Sequence, residues 1–281
     1  MSYTEEIVFI ESEDGISHAG AVIRPASDGN TSLAVVWVHG LTGRFCEPHA
    51  MRIGRALAES GYTFVTGNNR GHDVGIWIRP RGGEQRLGGG AWEAFDESPL
   101  DIGAWIDFTV KLGFASAALV GHSLGSLKVA YYQASRQDAR VVGLVAASPP
   151  VRAGGIDPEL KAKAEKLVAE SRGEELIWTS APNPRVFSAN TYLNRVRTNL
   201  DVYGFHRPDP AVARIRCPIL AILGTEEPNV ATEADLTTLK RNAIAAQRVD
   251  LAMIEGADHS YTGRELVVAG VLAKWLGSLA V

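Results

Sequence analysis

Residues 115–137 read ASAALVGHSLGSLKVAYYQASRQ. An apolar run leads into Gly121-His122-Ser123-Leu124-Gly125, and a helical pattern follows. This order predicts a strand, a sharp turn and a helix, with Ser123 on the turn. A serine there is held in a strained conformation with its hydroxyl projecting above the sheet edge. Flanking glycines let strand and helix close around it. Gly-x-Ser-x-Gly alone is a weak signal in a chain with 29 glycines, so the flanking strand and helix carry the inference. Ser123 is the candidate nucleophile.

Outward from this turn, apolar runs and amphipathic stretches alternate. Glu5–Glu11 and Ile16–Arg24, around Asp14-Gly15, predict an antiparallel hairpin at one sheet edge. Leu33–His39 is rich in β-branched residues and predicts a buried strand, followed by a helix near Pro48–Ser60. A strand at Tyr62–Gly67, a helix at Pro99–Leu112 and a strand at Val141–Ala147 continue the rhythm. Arg81-Gly82-Gly83 and Gly88-Gly89-Gly90 lack phosphate-loop form and read as flexible loop, flanked by Trp77 and Trp92. After Ser148-Pro149-Pro150 the alternation stops. Pro158–Glu170 and Ser188–Thr198 are helical in pattern, but no buried strand is convincing until Pro218–Leu223. A helix from Glu233 to about Ala245, a strand at Val249–Ile254 and a helix at Glu265–Leu279 complete the chain.

The pattern argues for a mainly parallel sheet covered by helices. Residues 1–150 and 217–281 form the expected core domain, and 151–216 a helical insertion between two core strands. The expected role of that insertion is a cap, because loops at this point emerge on the strands' carboxyl side, where ligands bind. Trp178, Phe187, Tyr192, Tyr203 and Phe205 are its candidate pocket aromatics, as Trp77 and Trp92 are on the core.

Composition narrows the function. The chain has 281 residues, 46% hydrophobic content and a net charge of −4, with no basic block. That argues against nucleic acid or an anionic membrane as partner. The acidic start MSYTEEIVFIESED is unlike a signal peptide, and no apolar run approaches the roughly 20 residues of a membrane span. Cys46 and Cys217 lack metal-site spacing and read as reduced thiols. A cytoplasmic location is the resulting expectation, and oligomeric state is left open.

A serine hydroxyl needs a base to take its proton at neutral pH. With the nucleophile on a strand-turn-helix, the partners follow in the order serine, acid, histidine. Of seven histidines, His18, His39, His49 and His72 precede the serine, His122 belongs to its turn, and His206 lies in the insertion. His259 follows the late strand in Ile254-Glu255-Gly256-Ala257-Asp258-His259-Ser260 and is the candidate base. The acid is expected after Pro218–Leu223, where Gly224-Thr225-Glu226-Glu227-Pro228-Asn229-Val230 offers two glutamates. Asp258 is a poor substitute, because adjacent turn residues seldom aim side chains at each other. The Leu124 backbone N–H, just after the nucleophile, is the candidate first oxyanion donor.

With these motifs in hand, the chain resembles the α/β-hydrolase superfamily over nearly its whole length. The resemblance implies a mostly parallel eight-stranded sheet with helices on both faces and a helical cap. It favours Glu227 over Glu226, since the acid commonly closes a Gly-x-x-Asp turn followed by Pro-x-Val. Pro228 and Val230 stand behind Glu227. It makes His39-Gly40-Leu41 an oxyanion loop, with the Leu41 N–H as second donor. Asn69-Arg70-Gly71-His72-Asp73 matches an architectural turn. The segments NNRGHD and GHSLGSLKVAYY resemble a branch that includes fungal siderophore esterases. The implied activity is hydrolysis of a carboxylic ester, linear, lactone or macrocyclic, with a small-molecule substrate and neither cofactor nor metal. Amide, thioester or carbon–carbon hydrolysis, acyl transfer, and ligand binding without catalysis are the alternatives. Serine at the turn argues against dehalogenase or epoxide hydrolase chemistry, which uses aspartate there.

Overall fold

The chain opens with two nine-residue strands, β1 (Tyr3–Glu11) and β2 (Ser17–Pro25), paired antiparallel. The turn between them closes through a bond from Gly15 N to Ser12 O, and Gly15 supplies the positive φ of 80°. The alternation then runs β3 (Leu33–Val38), α1 (Pro48–Glu59), β4 (Thr63–Gly67), β5 (Ile76–Ile78), β6 (Arg86–Gly88), α2 (Ser98–Lys111), β7 (Ser116–His122), α3 (Leu124–Arg136) and β8 (Val141–Ala147). The insertion contributes α4 (Pro158–Ala169), β9 (Leu176–Trp178), β10 (Val186–Ser188) and α5 (Ala189–Arg197). Last come β11 (Ile219–Gly224), α6 (Glu233–Asn242), β12 (Val249–Ile254) and α7 (Glu265–Leu276). The computed structural model describes residues 2–26, 32–151, 155–180, 184–198 and 200–279.

Eight strands make one sheet in the order β1-β2-β4-β3-β7-β8-β11-β12. Only β2 runs against the rest: it is antiparallel to both β1 and β4, and every pairing from β4 to β12 is parallel. The order explains where a site can form. From β3 the chain goes to β4 on one side, and the later β7 pairs on the other. That reversal leaves a crevice at the carboxyl ends of β3 and β7. Gly40 and Ser123 follow those two strand ends.

Both sheet faces are covered. On β3, Leu33, Val35 and Trp37 pack with Ala50, Ile53 and Leu57 of α1 and Val268 and Leu272 of α7. The alternate residues Val36 and Val38 pack with Ile102 and Trp105 of α2, Leu127 of α3 and Leu236 of α6. The period-two alternation of a fully buried strand thus feeds two cores. Arg70, after β4, is the largest buried charge. Asp101 on α2 accepts bonds from its backbone N–H and guanidinium, and Asp14 and Glu97 pair with it at the rim. His18 lies 3.1 Å from the same carboxylate. Against the desolvation that would raise it, His18 and Arg70 hold the Asp101 carboxyl well below the usual range.

Two sequence expectations differ from the structure. The stretch read as flexible loop before α2 holds the hairpin of β5 and β6. The stretch 151–216 is not purely helical, since β9 and β10 pair antiparallel within it. Three-residue strands are too short for a period to show. The insertion also packs as two parts: Leu160, Ala164, Leu167, Ile177, Phe187 and Tyr192 form their own small core. Leu200, Val202, Tyr203, Val212 and Ile215 join the main core against α3 and β11. Residues 152–154, 181–183 and 199 of the insertion lie outside the described residues.

Candidate active site

Ser123 sits between β7 and α3 with φ 54° and ψ −125°, a region a non-glycine residue adopts only under constraint. Its neighbours explain why the turn is possible. A Cβ on Gly121 would lie 2.3 Å from Gly125 O, and one on Gly125 would lie 2.2 Å from Val38 O. Glycine at both positions is a steric requirement of packing α3 against β7 and β3. A Cβ on Gly40 would lie 2.9 Å from the Ser123 Cβ, so the loop after β3 runs directly beside the serine.

The structure brings Ser123, His259 and Glu227 together in one chain of hydrogen bonds. His259 Nε2 is 3.0 Å from Ser123 Oγ, and His259 Nδ1 is 2.6 Å from Glu227 Oε2. A carboxylate only accepts, so Nδ1 carries the ring proton and Nε2 presents a lone pair to the serine hydroxyl. Glu227 is 4% exposed and needs partners for its other oxygen. Oε1 accepts from Gly224 N at 2.7 Å and from Ser148 Oγ at 2.5 Å, and the Tyr261 hydroxyl stands 2.8 Å beyond Ser148. Glu226 is exposed and joins Ala257 O only through its backbone. Asp258 spends Oδ1 on the Ser260 and Thr262 amides, which leaves it a turn residue.

Leu41 and Leu124 flank the serine as the sequence places them. Leu124 is the first residue of α3 and Leu41 lines the cleft. Neither backbone N–H finds a hydrogen-bond partner among the described residues. Both loops are pinned from behind by histidines that do not face the serine hydroxyl. His39 donates from Nδ1 to Gly40 O at 2.8 Å and accepts the Asn69 N–H at Nε2, 2.9 Å away. Burial, with Lys128 adding, pushes its pKa down to about 3. His122 donates from Nε2 to the carbonyl of His259 at 2.7 Å and stacks on Trp37. Burial first, then the neighbouring His49 and His259, hold it well below its ordinary value. Both rings therefore stay neutral near pH 7, and the acceptor role of His39 Nε2 requires it.

Strain gathers here too. Of seven non-glycine residues with positive φ among the described residues, Thr42, Asp73, Ser123, Ser148 and Tyr261 belong to this site or the loops bounding it. Sequence reasoning missed Ser148, Tyr261 and the service of His122 to His259. Each works through a partner distant in the chain, and no local spacing announces them.

The cleft above Ser123 holds about 400 Å³ and is walled on the core side by Leu41, Glu47, His49, Val74, His122 and His259. Trp178, Pro184, Arg185 and Val186 close the insertion side. A larger groove of about 970 Å³ between β1 and α2 lies away from this chemistry. Of the candidate aromatics, Trp178 lines the cleft, while Phe187 and Tyr192 fill the insertion's own core. Tyr203 is buried in the main core with its hydroxyl on Ser126 O, and Phe205 packs against that core. Trp92 donates to Glu174 O, and Trp77 is 65% exposed.

Residues 35–270 match the alpha/beta hydrolase family. The chain belongs to that family. Among solved structures, Est1E from Butyrivibrio proteoclasticus with ferulic acid bound is similar to this hydrolase, with 20% identity and a TM-score of 0.69. That match covers 97% of this chain and 98% of the other. Esterase Pf2001 from Pyrococcus furiosus aligns with a TM-score of 0.63 at 16% identity, over 99% of this chain and 94% of its own. The esterase domain of a Rhodothermus marinus protein aligns with a TM-score of 0.62 at 19% identity, covering 97% of each chain. At such identities the likeness shows the shared fold. No curated protein matches the chain in sequence. Among the described residues, no helix of this hydrolase is long and apolar enough to cross a membrane.

Proposed function

We propose that this alpha/beta hydrolase cleaves a carboxylic ester through an acyl-enzyme on Ser123. The observation that carries the reading is the unbroken path from Ser123 Oγ through the His259 ring to a buried Glu227. In the proposed first step His259 Nε2 takes the hydroxyl proton as Oγ attacks the ester carbonyl. Glu227 keeps the proton on Nδ1 and stabilises the imidazolium that forms. The unpaired Leu41 and Leu124 amides receive the negative oxygen of the tetrahedral intermediate, each such donor being worth about 3–4 kcal/mol. The imidazolium then protonates the departing alcohol, and water repeats the sequence to free the acid. The insertion serves as a cap, since Trp178 and Val186 stand over the serine and exclude water from part of the cleft. That several fold neighbours are esterases supports this choice of bond. Cys46 and Cys217, both free thiols, suit a reducing intracellular setting.

The test is hydrolysis of short and medium chromogenic esters by the wild type and Ser123→Ala, purified in parallel. The proposal expects turnover by the wild type and a loss of about 10⁴-fold or more in a folded variant. Equal activity in the two proteins would overturn it.

A further inference from the structure

The part of the insertion that forms its own core carries arginines of two kinds. Arg172 pairs with Glu170 and Glu175, and Arg197 pairs with Asp96. Arg185 and Arg195 pair with no carboxylate among the described residues. Their placement makes the difference informative.

Arg185 lines the Ser123 cleft, and its backbone is fixed. Its N–H donates to Thr179 Oγ1 at 2.7 Å and its carbonyl accepts the Thr179 N–H at 2.8 Å. The side chain therefore starts from a defined point on the hairpin of β9 and β10. Two residues along, Phe187 carries the Arg195 guanidinium 4.6 Å from its ring centroid. Burial pushes the Arg195 pKa down to about 10, and the charge of Arg185 acts in the same direction. Glu93 opposes that shift, but its Oε1 is already held by Lys128 deep in the core. The partly buried Arg195 and the exposed Arg185 thus sit near one another on the cap, and neither is in an ion pair among the described residues. Among the described residues lining the cleft, the one carboxylate, Glu47, belongs to the opposite wall, 3.8 Å from His49.

We infer that the ester bound at Ser123 carries a second, anionic group, a free carboxylate seated against Arg185 with Arg195 strengthening the field. This rests on the reading of Ser123 as an ester-cleaving nucleophile and names the substrate class that reading leaves open. A carboxylate offers two coplanar oxygens to the guanidinium fork, and the rest of the cap wall (Trp178, Pro184 and Val186) would cover the carbon chain between it and the ester. A half-ester of a dicarboxylic acid has this shape.

The experiment compares monomethyl glutarate with methyl pentanoate, matched in length and differing in the terminal carboxylate. Equilibrium binding is measured to Ser123→Ala, so the result does not depend on turnover. The expected outcome is about ten- to hundredfold tighter binding of the half-ester, in line with a hydrogen bond to a charged group. Added Arg185→Gln reduces that preference to near unity, and Arg185→Lys restores part of it. Arg195→Gln, farther from the ligand, lowers the preference by a smaller factor. Equal binding of the two esters, or a preference that survives Arg185→Gln, overturns the inference. Hydrolysis of methyl pentanoate by the wild type separately tests the reading beneath. A binding preference without hydrolysis would keep the anion site and remove the esterase.

Discussion

On the core wall of the cleft, Glu227 accepts three hydrogen bonds, His122 holds the His259 carbonyl, and His39 ties the loop after β3 to the turn after β4. On the insertion's wall, Trp178 is 65% exposed and Arg185 and Arg195 pair with no carboxylate among the described residues. One wall fixes Glu227 and the His259 ring through bonds within the protein, while the other carries two guanidinium groups with no ion-pair partner among the described residues. The difference separates two tasks. Bond-breaking needs groups held in one geometry before substrate arrives. Selection needs groups whose partners come with the substrate.

The contrast is open to attack from the core side first. Glu227→Gln keeps the shape but allows its amide to donate toward Nδ1, favouring the tautomer in which Nε2 carries the proton. The expected loss in kcat is about 10⁴-fold with the fold intact, measured by steady-state kinetics beside circular dichroism. An undiminished kcat would mean that the bond to His259 is ornamental.

Next in size is the charge beneath the site. Asp101→Asn leaves Arg70 buried without its main counter-charge and is expected to cost about 3–5 kcal/mol in urea unfolding. Acid should expose the same chemistry in two windows. Asp101 is held low in the folded state, so its stabilisation is present at neutral pH and is lost as pH falls below about 4. His39 and His122 are neutral when folded but take protons below about pH 6.5 when unfolded. Their share is full above that pH and declines as pH falls below it, that of His39 until about pH 3. The urea midpoint should therefore begin to fall before the carboxylates titrate.

The smallest effect expected on the core side is that of His122. His122→Phe removes the donor to the His259 carbonyl and should lower kcat by about ten- to hundredfold with little change in KM. His122→Gln, which can still donate but takes no proton, should recover most of kcat and lessen the decline below pH 6.5. A KM effect alone, or no rescue by glutamine, would reduce His122 to packing against Trp37.

Much of this was legible in the chain itself. Buried strands such as LAVVWVH and VVGLVAA announced themselves by composition, and the turn at Ser123 by its glycines, because sterics leave no other residue there. His259 followed from chain order. Choosing Glu227 over Glu226 needed a family resemblance, and in space the two diverge completely, one buried on His259 and one exposed. Ser148 and Tyr261 were illegible because their roles exist only where β8, β11 and the His259 loop converge. The division of 151–216 was hidden for a similar reason. Apolar residues at 160–192 and 200–215 look alike in sequence, and only packing assigns them to different cores.

The central claim is that His259, oriented by Glu227, activates Ser123. Fluorophosphonate labelling followed by peptide mapping tests it directly, in the wild type and in His259→Ala. The account predicts one modified residue, Ser123, and a labelling rate at least about 10³-fold lower in the variant. Modification of another residue, or equal rates in the two proteins, would contradict it.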